Sequence, residues 1–216
     1  MIRTAPEGRW FIAGAWVVAL ALLLAAATHH PSVPLRAAAV WTLLAVWVVA
    51  FFRDPERAWS RGDRLVVAPA DGEVVTLLEV EEPAFLHGRA LRMSIFMNVF
   101  DCHVNRYPLD GRVAYRHYNS GQFGHAGAEK ASLSNEQASV GLDTPQGKVL
   151  VRQIAGLVAR RIVTDHEVGT DVHQGERMGM IRFGSRVDLF LPPATRTLVQ
   201  VGAKTLAGVT VVAEWS

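Results

Sequence analysis

Lysine is scarce in this chain of 216 residues. It occurs only at positions 130, 148 and 204, so arginine supplies the other nineteen of the 22 basic residues. The planar guanidinium of arginine favours bidentate binding of phosphate or carboxylate groups. The sequence contains no basic run or aromatic-interleaved stripe of the kind that nucleic-acid binders use. We therefore expect an anionic partner that is not a nucleic acid.

Cysteine is almost absent as well. The single cysteine, Cys102, excludes an intramolecular disulfide and a thiolate metal cluster, and is compatible with a reducing compartment. We interpret Cys102 as a small buried side chain rather than as a nucleophile. No metal-ligand cluster, nucleotide-binding glycine loop or pyridoxal-lysine motif is evident, so the sequence predicts no metal site.

Charged residues are few before residue 53, where two apolar segments dominate. Residues 10–27 are an uncharged run of eighteen, and residues 37–52 are one of sixteen. A helix needs about 17 to 25 residues to cross hydrocarbon. The pattern predicts a membrane-anchoring helical hairpin over residues 1–60, which either spans the bilayer or enters one leaflet. A cleavable signal peptide is the alternative for the first segment.

Arginines flank this predicted hairpin on both sides. Two precede the first apolar segment and four follow the second: Arg3, Arg9, Arg53, Arg57, Arg61 and Arg64. Because basic flanks favour the cytoplasmic side, both ends are predicted to lie there. We therefore expect a protein of the cell inner membrane whose second domain, residues 61–216, is on the cytoplasmic side.

The second domain has the pattern of a β-rich fold. Glycine and proline separate short β-branched runs, which predict strands at residues 65–67, 73–80, 90–97, 103–106, 111–118, 148–154 and 178–183. Residues 153–163 are the best candidate for a helix, with a strand as the alternative. The glycine-rich residues 121–134 are predicted to form a loop that acts as a lid near the substrate.

Two glycine turns near the carboxyl terminus, at Gly175 and Gly202, follow similar residues. They resemble the turns of lipoyl- and biotinyl-carrier-like barrel-sandwich hybrids, although two ordinary hairpins would look the same. The fold class expected from the whole chain is β-dominated (α+β), with a barrel-sandwich-hybrid-like β domain after the apolar hairpin.

Four short stretches contain the residues best suited to chemistry. They are Phe-Phe-Arg-Asp-Pro-Glu-Arg at 51–57, Pro-Ala-Asp-Gly at 69–72, the run from Ser94 to Arg106 that includes Asp-Cys-His-Val-Asn-Arg, and Phe-Gly-Ser-Arg at 183–186. In order and spacing, this set resembles the short form of the phosphatidylserine decarboxylase family. The likeness covers nearly the whole chain.

The resemblance implies a proenzyme that cleaves its own backbone between Gly184 and Ser185. The products would be a β chain of residues 1–184 and an α chain of residues 185–216, and Ser185 would become a covalent pyruvoyl cofactor. Phosphatidylserine in the membrane would form a Schiff base on this group, lose carbon dioxide and leave as phosphatidylethanolamine. The family also implies a homodimer.

The residues at the cleavage site are suited to this reaction. With a base nearby, the hydroxyl of Ser185 can attack the carbonyl carbon of residue 184 and convert the amide to an ester. Glycine at position 184 permits backbone conformations that other residues resist.

Three polar residues are candidates for assisting Ser185. His103 is the candidate for proton handling, because imidazole titrates near neutral pH. Asp71 is the candidate partner that orients a histidine or stabilises its cation. Asp101 is the alternative, since a residue two positions from His103 would share its strand face.

The chain departs from longer family members, which carry Asp-x-His-x-x-His at this place. Arg106 occupies the position of the second histidine. The base for self-cleavage is then His103 acting in both steps, or alternatively His117 or His125. Arg106 instead becomes a candidate for binding the carboxylate or phosphate of the substrate.

Taken one at a time, these residues have ordinary interpretations as a Gly-Ser turn, an Asp-Gly turn and a core histidine. Two other functions therefore stay open. A pyruvoyl decarboxylase of a soluble amino acid would leave the hairpin unexplained. A non-enzymatic, membrane-anchored barrel-sandwich adaptor would keep an intact chain of 23.6 kDa.

Overall fold

The computed structural model describes residues 3–28, 32–57, 62–121, 135–156, 161–182 and 185–215. The chain divides into two compact units, Met1–Glu56 and Arg57–Ser216. Most of the predicted lid, including His125, and the predicted cleavage residue Gly184 lie outside the described residues.

The first unit consists of apolar helices. A short 3-10 helix at Pro6–Gly8 leads into α1 (Arg9–Thr28), and α2 (Ser32–Phe51) follows. The two long helices are joined by a hydrogen bond of 2.9 Å from the indole nitrogen of Trp41 to the carbonyl oxygen of Ala15. Within the described residues, one helix, Pro6–Thr28, is long and apolar enough to cross a membrane by length and composition, and the apolar helix Leu35–Phe51 is shorter.

Several alanines are buried in this first unit, whereas many large apolar side chains other than Phe51 and Phe52 are exposed. Ala19, Ala38 and Ala45 have no exposed surface, but Trp10 is 87% exposed and Leu43 is 72% exposed. Small residues at helix contacts let backbones approach closely, as in helices that pack within lipid. Much of the exposed surface of these helices is therefore apolar.

The second unit contains fourteen strands among the described residues. They are β1 (Leu65–Val67), β2 (Gly72–Glu82), β3 (Gly88–Met97), β4 (Val104–Arg106), β5 (Gly111–Asn119), β6 (Gln137–Thr144), β7 (Gly147–Ala155), β8 (Ile162–Thr164), β9 (Asp171–Val172), β10 (Arg177–Ile181), β11 (Ser185–Leu191), β12 (Arg196–Thr197), β13 (Lys204–Thr205) and β14 (Val211–Glu214). The prediction of a β-dominated fold after an apolar helical segment is confirmed.

The strands form three sheets. The largest has eight strands in the order β13-β2-β3-β11-β7-β6-β5-β9, and the two smaller sheets have the orders β4-β10-β8 and β1-β14-β12. All the pairs in the large sheet are antiparallel. In the centre of this sheet, β11 lies between β3 and β7, and all seven of its residues are buried.

The hydrophobic core covers one face of the large sheet. Met93, Ile95 and Met97 of β3 belong to it, together with Val187 and Leu189 of β11. Since side chains alternate along a strand, Ser185 lies on this core face, whereas Arg186 and Asp188 lie on the opposite face.

Two local predictions were wrong. Residues 153–163 contain no single helix, because Gln153–Ala155 ends β7 and Ile162–Thr164 forms β8. The branched residues in this segment favour strands. Both strands are paired, β7 with β11 and β8 with β10. In addition, β4 begins at Val104, so His103 and Asp101 precede the strand and share no strand face.

Candidate active site

Ser185 is the first residue of the central strand β11. Its backbone is in register with Met97 at the end of β3 and with Ala155 at the end of β7. The residue has no exposed surface, and its Oγ has no hydrogen-bond partner among the described residues. A buried hydroxyl without a partner costs about 1–3 kcal/mol of folding free energy. The stability of the fold therefore does not explain why a serine occupies this position.

A glycine brings Asp71 to the same edge of the sheet as Ser185. Gly72 has φ 140°, and a Cβ at this position would lie 2.1 Å from the carbonyl oxygen of Phe96. Only glycine allows β2 to approach the end of β3 so closely. Since Met97, next to Phe96, is the register partner of Ser185, residue 71 lies beside the edge at which β11 begins.

The carboxylate of Asp71 is held by Arg57. The two side chains form a bidentate pair, with Nη1–Oδ1 at 2.5 Å and Nη2–Oδ2 at 2.7 Å. The backbone N–H of Ala207 also donates to Oδ1 at 2.8 Å, while Arg57 donates to the Ala207 carbonyl at 2.8 Å. Within the described part of the chain, the expected histidine partner of Asp71 is replaced by this arginine.

His103 is fully buried and contacts the residue two positions before it. Its Nδ1 lies 3.0 Å from the carbonyl oxygen of Asp101. The Asp101 carboxylate itself accepts a hydrogen bond of 2.8 Å from the Asn98 N–H. Asp101 therefore contacts the imidazole through its backbone, and its side chain closes the turn before it. The His103 carbonyl accepts from the N–H of Ile181, at the end of β10, at 3.4 Å.

Arg106 contacts the turns at Gly175 and Gly208. Its Nη1 donates to the carbonyl oxygen of Gly175 at 3.0 Å. Its Cδ lies so close to Gly208 that a Cβ there would be 2.9 Å away. Gly208 follows Ala207, which is bonded to Asp71, so Arg106 and the Arg57–Asp71 pair contact the same short turn. His117, the other described candidate base, lies on the exposed end of β5.

Two amides that the sequence reasoning did not select lie on the core side of this edge. Gln153 donates to the side-chain oxygen of Asn105 at 2.8 Å, and Asn105 donates to the sulfur of Met97 at 3.7 Å. Both amides are fully buried. Because Gln153 is in register with Val187 on β11, it is a diagonal neighbour of Ser185 on the same face. Polarity in a buried strand was the only available signal for either residue.

A comparison with protein families identifies the relatives of this chain. A family model described as phosphatidylserine decarboxylase matches residues 44–213. The chain belongs to the phosphatidylserine decarboxylase family. The predicted resemblance is therefore confirmed, and the matched residues include all of Ser185, His103, Asp71, Asp101 and Arg106.

Curated members of the phosphatidylserine decarboxylase family are similar over most of their length. A phosphatidylserine decarboxylase proenzyme of Symbiobacterium thermophilum is 51% identical over 175 residues, which cover 81% of this chain and 81% of the relative. Proenzymes of the same name from Rickettsia typhi and Rickettsia africae are each 46% identical, and the alignments cover 79% and 78% of this chain and 75% of each relative.

Proposed function

We propose that this chain is a self-cleaving phosphatidylserine decarboxylase that converts Ser185 into a pyruvoyl group. It would remove the carboxylate of phosphatidylserine as carbon dioxide and release phosphatidylethanolamine. Membership of the family supports the activity. The observation that carries the assignment of the cofactor to this residue is that the serine of the Phe-Gly-Ser-Arg motif is fully buried at the start of the central strand, where its Oγ has no partner among the described residues.

The surroundings of Ser185 fit a small uncharged carbonyl group. The residue faces the apolar core and has no exposed surface, and a pyruvoyl group needs no charged partner. When present, it would supply an electron sink for the pair that the departing carboxylate leaves behind. The buried amides of Gln153 and Asn105 lie on the same side and provide polar groups close to it.

The sheet pairing supports a stable complex of the two products. After cleavage, β11 would keep its antiparallel neighbours β3 and β7 in the 1–184 fragment. Strands β13 and β14 of the 185–216 fragment pair with β2 and β1 of the larger fragment. The short fragment is therefore expected to stay bound as part of two sheets.

His103 is proposed to hold and transfer the proton. A carbonyl oxygen only accepts hydrogen bonds, so Nδ1 carries the hydrogen in the contact with Asp101. In the neutral imidazole, Nε2 is then the basic nitrogen. The role of Asp101 in this scheme is to fix the tautomer and the orientation of the ring through its carbonyl group.

Asp71 and the two arginines are proposed to shape the edge of the site. Arg57 fixes the Asp71 carboxylate, and both hold the Ala207–Gly208 turn. Arg106 packs on that turn and donates to Gly175 with one nitrogen. Binding of the substrate carboxylate or phosphate stays our proposal for Arg106, because a guanidinium matches the geometry of these anionic groups.

The helices of the first unit are proposed to anchor the enzyme to the cell inner membrane, with residues 61–216 on the cytoplasmic side. The apolar helix Pro6–Thr28 supports attachment, and the flanking arginines support the orientation. An anchored enzyme reaches a bilayer substrate by lateral diffusion. A homodimer is proposed from the family alone.

Substitution of two buried serines tests the proposal. In the wild type, denaturing electrophoresis should resolve fragments of residues 1–184 and 185–216. Ser185→Ala should stay intact at 23.6 kDa and release no carbon dioxide from phosphatidylserine. Ser94 is the matched control, because it is also fully buried and its Oγ also has no partner among the described residues.

Ser94 lies on the opposite face of the sheet, so Ser94→Ala should be cleaved and active. Decarboxylation by an uncleaved Ser185→Ala variant would refute the proposed origin of the cofactor. An intact and inactive wild-type chain would instead favour the adaptor.

A further inference from the structure

Three large apolar side chains are exposed just after the ends of two strands of the large sheet in the second unit. Val99 and Phe100 follow β3 and are 39% and 71% exposed, and Leu206 follows β13 and is 51% exposed. We call these three residues the apolar rim. Exposure of one large apolar side chain forgoes about 1.5–3 kcal/mol of burial free energy, so a group of three calls for an explanation.

The apolar rim lies at the edge of the sheet where Ser185 is found. Strand β13 pairs antiparallel with β2, which pairs antiparallel with β3, so β13 and β3 run in the same direction. Thr205 is in register with Gly72, beside the end of β3. Leu206 and the residues after Met97 therefore leave the sheet at the edge where β11 begins.

An electrostatic contact supports this neighbourhood. The ammonium group of Lys204 in β13 lies 2.7 Å from the Glu73 carboxylate. Its pKa is raised, chiefly by the hydrogen bond with Glu73, and the charge of Asp101 adds to the rise. The loop that ends at Asp101 thus lies close to β13.

Hydrogen bonds hold the loop in the shape that exposes Phe100. The Phe100 N–H donates to the side-chain oxygen of Asn98 at 2.8 Å, and the Asn98 N–H donates to the Asp101 carboxylate at 2.8 Å. The Asp101 N–H closes the turn by donating to the Asn98 carbonyl at 3.0 Å. The outward position of Phe100 is therefore built into the loop.

We infer that the apolar rim inserts into the phospholipid bilayer, so that the edge of the sheet containing Ser185 faces the lipid headgroups. This inference rests on the proposed function, in which the substrate is a membrane lipid. Three side chains are too few for a stable protein interface, which needs about 800 Å² from each partner. They suffice for shallow insertion, where aromatic and aliphatic side chains are favoured at the membrane surface.

The contact is tested by the kinetics of the full-length double variant Phe100→Ser/Leu206→Ser. Its substrates are phosphatidylserine in phosphatidylcholine vesicles and a water-soluble short-chain phosphatidylserine. We expect the KM for the vesicle substrate to rise by roughly tenfold, from loss of apolar burial. The kcat and KM for the soluble substrate should stay within about twofold of wild type, because neither residue is among those proposed to act on the substrate.

Val168 supplies a matched control at the opposite end of the strands from Ser185. It is 58% exposed, and the next residue, Gly169, is bonded to Val113 near the beginning of β5. Asn119, at the end of β5, is in register with Gln137, and Gln137 is in register with Ile154, the partner of Arg186. The end of β5 therefore lies at the same edge as Ser185. Val113 lies six residues before it, roughly 20 Å along the strand. Val168→Ser should change neither KM.

A probe of position gives a readout that does not depend on activity. A fluorophore on Leu206→Cys in the full-length protein should be quenched by spin-labelled lipids in vesicles, whereas one on Val168→Cys should not. The native Cys102 is buried, so labelling is directed to the new thiol.

Wild-type KM values in the double variant, an equal loss on both substrates, or equal quenching at the two labelled positions would each overturn the inference. Failure of the wild type to decarboxylate either form of phosphatidylserine would refute the proposed function itself.

Discussion

Ser185 and Asp188 are buried polar residues three positions apart on one strand, yet their surroundings differ. The Ser185 hydroxyl faces the apolar core without a partner among the described residues. Asp188, on the opposite face, forms an ion pair with Arg186 and accepts a hydrogen bond of 3.2 Å from its Nη2, and both side chains are almost inaccessible. Ordinary buried charges are paired, and unpaired polar groups call for another explanation.

Buried polar residues therefore have two kinds of surroundings in this sheet: charged residues are paired, and the Ser185 hydroxyl is not paired with any described residue. On the face opposite the core, another arginine, Arg152, likewise pairs with a buried carboxylate, Glu82, at 3.1 Å. At the Ser185 edge, the hydroxyl of a residue proposed to react instead has no partner among the described residues. Substitutions at the edge should therefore change turnover more than folding, and substitutions on the charged face should do the reverse.

The largest effect is expected from His103→Ala. Loss of the proposed proton carrier should lower kcat for phosphatidylserine by about 10²–10⁴-fold, the usual contribution of general acid–base catalysis. Steady-state release of carbon dioxide measures this, and electrophoresis reports cleavage separately. His173→Ala is the control, because the His173 side chain is 78% exposed. Wild-type turnover in His103→Ala would remove this histidine from the mechanism.

Asp188→Asn should mainly reduce stability. The change leaves the buried Arg186 without its carboxylate, which typically costs about 3–5 kcal/mol. Denaturant unfolding of the second unit measures the loss, while kcat of the folded fraction should stay near that of wild type.

The exposed Arg89–Glu79 pair supplies the comparison, since the two side chains are 68% and 45% exposed. Glu79→Gln should alter stability by less than about 1 kcal/mol. Equal losses from Asp188→Asn and Glu79→Gln would contradict the assigned difference between buried and exposed pairs.

Arg57→Lys should weaken the edge of the site at constant charge. Lysine cannot reproduce the bidentate contact with Asp71, so a buried carboxylate loses a donor, at a cost of about 1–3 kcal/mol. We expect slower cleavage and a lower kcat, and Arg57→Gln should be worse. Arg64→Lys is the control, because the hydrogen bonds of the Arg64 side chain to the described residues go to the Trp215 carbonyl, away from Asp71. Identical cleavage rates in Arg57→Lys and Arg64→Lys would exclude a positioning role for Arg57.

The smallest effect concerns Tyr107, a buried polar residue that has a partner. Its hydroxyl lies 3.2 Å from Nδ1 of His166. Burial, followed by the charges of Glu176 and Asp165, raises the pKa of Tyr107 well above its usual range. The folded protein thus favours the neutral phenol. This preference stabilises the folded protein fully at pH values below the pKa of tyrosine in the unfolded chain, about 10. The stabilisation is lost as the pH rises further.

Tyr107→Phe should therefore cost about 1 kcal/mol near neutral pH and lose less stability than wild type above pH 10. Thermal unfolding at several pH values measures both effects. Parallel alkaline losses in the two proteins would contradict the assignment of this pH dependence to Tyr107.

Runs of β-branched residues between glycine and proline turns were the predictable part of the fold. The pattern of apolar residues identified β2, β3, β5 and β7 to within two residues at each end. No strand was predicted for β6 or β11, because both contain few β-branched residues: Val140 and Thr144 in β6, and Val187 in β11. The charges of Arg186 and Asp188 further concealed β11.

The candidate site was predictable only where residues belong to short motifs. Ser185, Asp71 and His103 were selected in this way. The partner of Asp71 was not, because Arg57 is fourteen positions away and was interpreted as a basic flank of the membrane segment. Gln153 and Asn105 come together through the packing of β4 against β7, which no local pattern encodes.

The chemical state of residue 185 in active, wild-type protein tests the central claim most directly. Intact mass and tandem mass spectrometry of the carboxyl-terminal fragment should show a chain that starts at residue 185, has no free amine and is lighter by one ammonia than the serine-initiated fragment. Fully active protein with an uncut chain and an unmodified serine at position 185 would contradict the account.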